Sequence, residues 1–423
     1  MARIVITTFG SYGDVFPYIG LALGLRARGH QPRLAMPALY KNLIEGEGLD
    51  FHPIRPELDP NDRGLAARIM DPVRGSDAIF SELLIPSLPQ TFEDLMTATA
   101  DADLIVTHPA SLAGPIVAAK RQLRWASSVL APLSFFSASD PMVPPPAPWV
   151  HAVISRSSLL SRGFMALTRR MTQKWAAPVD AFRVGLGLQP GANPVMHGQH
   201  APQLVLALFS RVLATPQPDW PPNTLVTGAI LYNGRDAEVL APELAAFLEA
   251  GPLPIVFTLG TSAVFAAGSF YDVSARAIAR LGRRAVLLVG RQGDNRPIDL
   301  GRDVMAVEFA PHRALFARAA AIVHQGGAGT LHQALASGRP MLVVPHAHDQ
   351  PDNAHRAQRI GVARTLYPRR YTVDALVREL RPLLDDPAYA RRATEVAAVV
   401  RSEDAIATAG HAIDAVLTPS IAE

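Results

Sequence analysis

The stretch that most constrains this chain is Ala321-Ile-Val-His-Gln-Gly-Gly-Ala-Gly-Thr-Leu-His-Gln-Ala-Leu-Ala-Ser-Gly338. An apolar run of strand type leads through a glycine-rich turn into an Ala/Leu run that suits a helix. Gly326, Gly327 and Gly329 permit a sharp turn and a close approach of backbone to ligand. The following helix aims its unpaired N–H groups and positive dipole end at that turn. His324 at the strand end and Thr330 in the first helical turn add side-chain donors, so the stretch reads as a diphosphate cradle. No Gly-Lys-Ser/Thr follows, which separates it from a P-loop, and the Gly-x-Gly-x-x-Gly spacing of a dinucleotide fold is missing. Residues 341–345 form a second buried-strand run ending in the polar segment His346-Ala-His-Asp-Gln-Pro-Asp-Asn353. Polar residues at the carboxyl end of a parallel strand stand where open α/β sheets bind ligands.

The same alternation runs through the whole chain. Strand-like runs at 3–9, 31–36, near Phe51, and at 104–107, 125–129 and 204–209 are separated by helix-like segments. Among these, the turn Gly10-Ser-Tyr-Gly-Asp-Val-Phe-Pro17 leads to a helix expected to start at Pro17 and to stop at Gly29. A second series of strands is expected at 225–227, 254–259, 285–289, 304–308, 320–324, 341–344 and 363–366, with helices between them and a helical tail after residue 372. Strands alternating with helices predict parallel sheets covered on both faces. The Pro-rich segment 215–222 is the natural linker. The expected organisation is α/β, two facing doubly wound Rossmann-like domains with a ligand cleft between them. An N-terminal domain covers 1–214, the linker 215–222 and a C-terminal domain 223–402. A final helix within 403–423 packs back on the first domain.

Composition narrows the function classes. A chain of 423 residues with 49% hydrophobic and 18% charged residues holds two globular cores. Its net charge is only +3, and its arginines are scattered, which argues against nucleic-acid binding. There is no cysteine, so disulfides and thiolate metal sites are excluded. No apolar run approaches the ~20 residues of a membrane span, and the expected location is the cytoplasm. Residues 151–175 are amphipathic and carry Arg156, Arg162, Arg169, Arg170 and Lys174. They read as a partly exposed surface helix, or more sharply as an acceptor-side helix or one in weak peripheral contact with a membrane.

Motif positions in both halves resemble one family, the inverting nucleotide-sugar glycosyltransferases of the two-domain GT-B fold, family 1. The resemblance is carried by Phe309-Ala-Pro-His312, His324-Gln-Gly-Gly-Ala-Gly-Thr330 and His348-Asp-Gln350, with matching spacing. The Gly10–Pro17 turn, Asp219-Trp-Pro221 and Ile255-Val-Phe-Thr-Leu-Gly-Thr261 look most like bacterial rhamnosyltransferases of the rhamnolipid type, and like sterol- and antibiotic-glycosylating enzymes. The resemblance implies that Phe309 stacks on the nucleobase while the Ala310 backbone bonds its edge. His324, Gly327, Gly329 and Thr330 would hold the diphosphate, with Thr261 on the facing loop, and Asp349 and Gln350 would bind sugar hydroxyls. Where plant members have a Glu that grips the ribose, this chain has His332. A site that does not pair the ribose 2′-OH has little reason to reject deoxyribose. The donor implied is therefore dTDP-rhamnose before a UDP-sugar such as UDP-glucose, used as co-substrate with no further cofactor.

Inverting transfer needs a base for the acceptor hydroxyl, and Asp14 is the candidate; the alternative reading is a helix cap. Helix N–H groups meet the charge that grows on the leaving diphosphate without a metal. Asp101-Ala-Asp103 has the spacing of a metal motif but sits in a helix-to-strand turn. His346, His348 and His355 lack a carboxylate or cysteine framework of zinc-site spacing. No Gly-x-Ser-x-Gly elbow favours acyl transfer. Residues 63–100, 140–148 and 151–175 are rich in Leu, Ile, Phe, Met and Pro, so the expected acceptor is lipophilic: a phenol, a hydroxy-fatty acid or a sterol. Two other readings are an epimerase or cell-wall transferase of the same fold, and a silent sugar-nucleotide-binding accessory protein.

Overall fold

Short, mostly apolar runs, fully buried in the central strands and part-exposed toward the sheet edges, form two all-parallel sheets. The computed structural model describes residues 1–59, 62–234, 238–290 and 295–418. The first sheet contains β1 (Arg3–Thr7), β2 (Gln31–Met36), β3 (Asp50–Pro53), β4 (Leu104–Thr107), β5 (Arg124–Val129), β6 (Leu204–Ala207) and β7 (Thr224–Val226), in the order β3-β2-β1-β4-β5-β6-β7. The second contains β8 (Ile255–Thr258), β9 (Ala285–Leu288), β10 (Val304–Val307), β11 (Ala321–His324), β12 (Met341–Val343) and β13 (Ala363–Thr365), in the order β10-β9-β8-β11-β12-β13. Both orders are Rossmann-like. In each, the direction of winding reverses once, between β1 and β4 and between β8 and β11, and such reversals open a crevice at the strands' carboxyl ends.

The first compact unit holds residues 1–62, 76–230 and 403 onwards; the second holds Arg63–Gly75 and Leu231–Ser402. The sequence reading differs from this in three places. The Pro-rich segment 215–222 is not a linker, because β7 follows it and pairs with β6 in register Val205↔Thr224. Asp219 is pinned by Ser137 Oγ at 2.7 Å and by the Ala138 amide at 2.6 Å, and Trp220 stacks on Phe135 at 4.2 Å between ring centres. A proline-rich run that buries a tryptophan is a fixed corner, so the chain crosses to the second unit only after Ile230. The second difference is Arg63–Gly75, expected in the first domain, which joins the second unit and buries Met70 in its core beside residues such as Val264. The third is the first helix, which begins at Tyr12, so Pro17 lies inside it.

The chain returns to the first unit at Glu403, whose carboxylate accepts from Ser210 Oγ at 3.0 Å and the Arg211 amide at 3.1 Å. The helix Ala405–Leu417 then follows, capped by Asp404. Asp414 on it accepts hydrogen bonds from Arg28 Nε at 3.0 Å and pairs with His30 Nε2 at 2.7 Å. Residues 419–423 of the expected C-terminal segment lie outside the described residues.

Candidate functional site

In the first unit, β1 feeds a turn in which Ser11 is the extended residue before the helix Tyr12–Ala27. Asp14 stands in the first helical turn, and its Oδ2 accepts from the Ser11 amide at 2.8 Å and from Ser11 Oγ at 3.1 Å. The carboxylate is thus a helix cap by geometry. Gly10, at φ +143°, makes room for it: a Cβ there would stand 2.4 Å from Asp14 Oδ2. The Tyr40 hydroxyl donates to the Gly10 carbonyl at 2.6 Å and fixes the turn. Burial pushes the Asp14 carboxyl above the usual carboxylate range, more than the two Ser11 bonds pull it down. Asp14 therefore sits at the winding reversal of its sheet as a carboxylate with enhanced basicity.

Across the reversal, His108 directly follows β4. Its Nδ1 accepts from the Ala110 amide at 3.2 Å, and its ring meets Tyr18 edge-on at 6.0 Å. Burial lowers the His108 pKa to about 3, so the ring is neutral. From His108 a cavity of about 500 Å³ runs along the helix Gly114–Arg121, lined by Leu112, Ile116, Trp125 and Val179 with His197 at its polar side. The Asp101 and Asp103 pair lies just before β4, at the opposite, amino edge of the sheet. Asp101 bonds Arg3 at 2.7 Å and Arg33 at 2.9 Å, and Asp103 accepts from the Arg3 amide at 2.8 Å.

In the second unit, β8 and β11 pair in register Thr258↔His324, so the loops that follow them are neighbours. Gly260 packs so tightly on the Gln325 side chain that an added Cβ would come within 2.3 Å of its amide. Thr261, next in line, is exposed. Gly327 precedes the helix Ala328–Ser337, which has no side-chain cap, so its first-turn amides, including that of Gly329, are left to a ligand or water. Gly326 has φ +92°, and a Cβ there would meet Val343 Cγ1 at 2.7 Å and the Gln350 carbonyl at 3.2 Å. Only glycine fits that point of the turn.

Two side chains expected to face the ligand are turned inward. His324 is fully buried; its Nδ1 accepts from the Gly326 amide at 3.1 Å, and its Nε2 meets the Met341 sulfur at 3.4 Å. Burial, with His312 nearby, lowers its pKa to about 3. His324 is therefore a neutral residue that shapes the glycine turn, and the expectation that it donates to the diphosphate is corrected. Gln350 is also buried, and its Oε1 accepts from the His346 amide at 2.8 Å and the Ala347 amide at 3.2 Å. That oxygen folds the loop after β12, which leaves only the amide nitrogen for a sugar. Thr330 is buried in the first helical turn beside Gln325, 3.4 Å away.

The remaining residues fall on the same edge of the second sheet. Asp349 precedes the helix Gln350–Arg359, and its Oδ2 accepts from Asn353 Nδ2 at 2.7 Å. Phe309, after β10, is 52% exposed, while Ala310 beside it is buried. His312 then stacks on Phe316, 4.5 Å between ring centres, and is neutral, with its pKa lowered to about 4 by burial. His332 is buried and donates Nδ1–H to the Ala328 carbonyl at 2.8 Å. Its pKa is lowered to about 4 by burial, so it carries no charge at neutral pH.

Two contributors were not singled out in the sequence, and a third was read into the other domain. Asn353 bonds both Asp349 and the Gly326 carbonyl, the latter at 2.8 Å, and so ties the glycine turn to the acidic loop. Its i, i+4 spacing from Asp349 was the available signal. Gln325 fills the space between the β8 and β11 loops. Arg63–Gly75 reaches His348, whose ring N–H donates to the Ile69 carbonyl; no local pattern announces that long-range docking. His346 Nδ1 donates to the Val344 carbonyl at 2.8 Å. Among the described residues no three His, Asp or Glu side chains gather as metal ligands.

Residues 4–118 match the glycosyltransferase family 28 N-terminal domain, and residues 276–408 match the erythromycin biosynthesis protein CIII-like C-terminal domain. The chain is 30% identical to glycosyltransferase GtfE of Amycolatopsis orientalis, with 96% of each chain covered. It is 28% identical to the O-mycaminosyltylonolide 6-deoxyallosyltransferase of Streptomyces fradiae, again over 96% of both. The solved structure of glycosyltransferase VinC in complex with dTDP shares the fold, with a TM-score of 0.69 at 21% identity over 98% of this chain and 99% of that one. With 30% identity to GtfE over 96% of each chain and a glycine turn at the winding reversal of its second sheet, the chain belongs to the family 1 glycosyltransferases of the GT-B fold.

Proposed function

We propose that this glycosyltransferase transfers a sugar with inversion from a nucleoside diphosphate donor, L-rhamnose from dTDP-rhamnose before glucose from a UDP- or dTDP-sugar, to a hydroxyl of a lipophilic small molecule. The observation that carries the reading is Asp14, a carboxylate with raised proton affinity at the winding reversal of the first sheet. In the step, the acceptor oxygen forms a bond to the anomeric carbon from the face opposite the diphosphate. The acceptor proton passes to the Asp14 carboxylate, and the bond from the anomeric carbon to the phosphate oxygen breaks. Negative charge accumulates on the departing diphosphate, where the amides at the start of the helix Ala328–Ser337 stabilise it.

Within this reading, Gly327, Gly329 and Thr330 hold the diphosphate, with Thr261 on the neighbouring loop. Phe309 is the nucleobase platform and Ala310 supplies the backbone contact. Asp349 binds sugar hydroxyls with the Gln350 amide nitrogen. His324 and Asn353 set the shape of the turn. His332 supplies no carboxylate to grip a ribose diol, which supports a deoxyribose nucleotide, and VinC was solved with dTDP. The cavity that starts at His108 supports a lipophilic acceptor, since its walls are mainly apolar.

The test is a matrix of donors and acceptors. Turnover is expected with dTDP-rhamnose on at least one of a phenol, a hydroxy-fatty acid and a sterol, and weaker turnover with UDP-glucose. Preference for UDP-glucose would overturn the donor assignment. Loss of activity on chelation with EDTA would overturn a metal-free mechanism.

A further inference from the structure

The first unit carries an apolar surface that neither the fold nor the proposed reaction uses. Between Asp140 and Asp180 the sequence has five basic side chains and no acidic one. This stretch forms the helices His151–Ile154 and Ser158–Gly185 after a proline-rich loop. Ser161, Thr172, Ala176 and Val179 bury one face of the longer helix against the unit. Another stripe is left in solvent: Leu160, Leu167 and Met171, spaced seven and four residues apart, are 48%, 52% and 64% exposed. Trp149, just ahead of the helices, is 73% exposed. A tryptophan and a row of long aliphatic side chains in water on one element are unusual, because scattered single exposures are the norm.

The charges on this element select the partner. Arg156, Arg162 and Arg170 are exposed and make no ion pair among the described residues. Lys174, by contrast, is already bonded to Asp77 at 2.5 Å, and Arg169 donates to His197 at 3.1 Å. An apolar stripe flanked by the unpaired Arg170, with unpaired Arg156 and Trp149 ahead of the helix in the chain and no acidic residue nearby in sequence, is complementary to an anionic lipid surface. A protein partner of ordinary composition would be expected to meet a mixed-charge rim instead.

We infer that the segment 149–171 seats this protein on anionic membranes, with Trp149, Leu160, Leu167 and Met171 entering the headgroup boundary and the unpaired Arg156 and Arg170 pairing with lipid phosphates. The site is peripheral: no helix among the described residues is long and apolar enough to cross a membrane.

The experiment is co-sedimentation of the full chain with vesicles. Binding is expected to phosphatidylcholine vesicles doped with phosphatidylglycerol, to be weak on phosphatidylcholine alone, and to fall as salt rises. The triple variant Leu160→Asp, Leu167→Asp, Met171→Asp should lose vesicle binding, with an unchanged Tm showing that it folds. Each of Arg156→Gln and Arg170→Gln should weaken binding by about fivefold, whereas Arg162→Gln, on the opposite side of the helix from the stripe, should change it less. Equal binding to neutral and anionic vesicles, or none to either, overturns the inference. So does a wild-type dimer that the triple variant loses without any lipid binding, which would make the stripe a contact between copies. A triple variant that keeps vesicle binding but loses turnover on a soluble acceptor would instead make it an acceptor wall.

Discussion

Buried, neutral histidines give this protein a predictable response to acid. His108, His312, His324 and His332 have pKa values lowered to about 3, 4, 3 and 4 by burial, against ~6.5 in the unfolded chain. The native state thus binds fewer protons than the unfolded one between those limits, and stability falls as pH drops from about 6.5 toward 4. Each such histidine contributes up to about 1.4 kcal/mol per pH unit in that window. Tm measured against pH should decline steeply there, and His332→Asn should flatten the slope; an unchanged slope would mean that His332 is not a neutral buried group. At Gly326, substitution by Ala combines a positive φ with contact against Val343 and the Gln350 backbone. Gly326→Ala should cost about 1–3 kcal/mol in urea unfolding and weaken nucleotide binding, because the turn is held by its neighbours on three sides.

The helix Gln350–Arg359 is the element on which the acidic loop depends. Asp352 and Arg356, one turn apart, form an ion pair at 2.7 Å with side chains 1% and 2% exposed. Removing one partner leaves a buried charge, so Asp352→Ala or Arg356→Ala should destabilise by about 3–5 kcal/mol, read from urea unfolding. A loss below 1 kcal/mol would show that water reaches the pair. At this scale the sequence was most informative: helices such as Pro242–Glu249 and Phe270–Leu281, and strands such as Gln31–Met36 and Leu104–Thr107, follow directly from apolar periodicity and proline or glycine stops. The first helix was misread because Pro17 resembles a helix start, while the real start is set by Ser11 and Asp14 through bonds that composition does not reveal. The inward turn of His324 and Gln350 was equally invisible, because a motif fixes which residues occur and not which way they face.

At the scale of the molecule, both sheets and their parallel order were legible from alternating strands and helices, whereas membership of the two units was not. A corner stabilised by Trp220 looks like a proline-rich linker, and Arg63–Gly75 joins a unit far along the chain. Nucleotide binding to the second unit should raise Tm by ligand linkage, with dTDP effective at lower concentration than UDP; equal protection by both would remove the donor argument built on His332. The central claim is that the Asp14 carboxylate takes the acceptor proton. Asn retains an oxygen able to accept the Ser11 bonds, so Asp14→Asn preserves the cap and removes only the base. Removing the buried charge should leave Tm unchanged or higher, and dTDP protection should persist. The decisive measurement is kcat of Asp14→Asn with donor and acceptor saturating: the account predicts a loss of about 10²–10⁴, and turnover within a few-fold of wild type would contradict it.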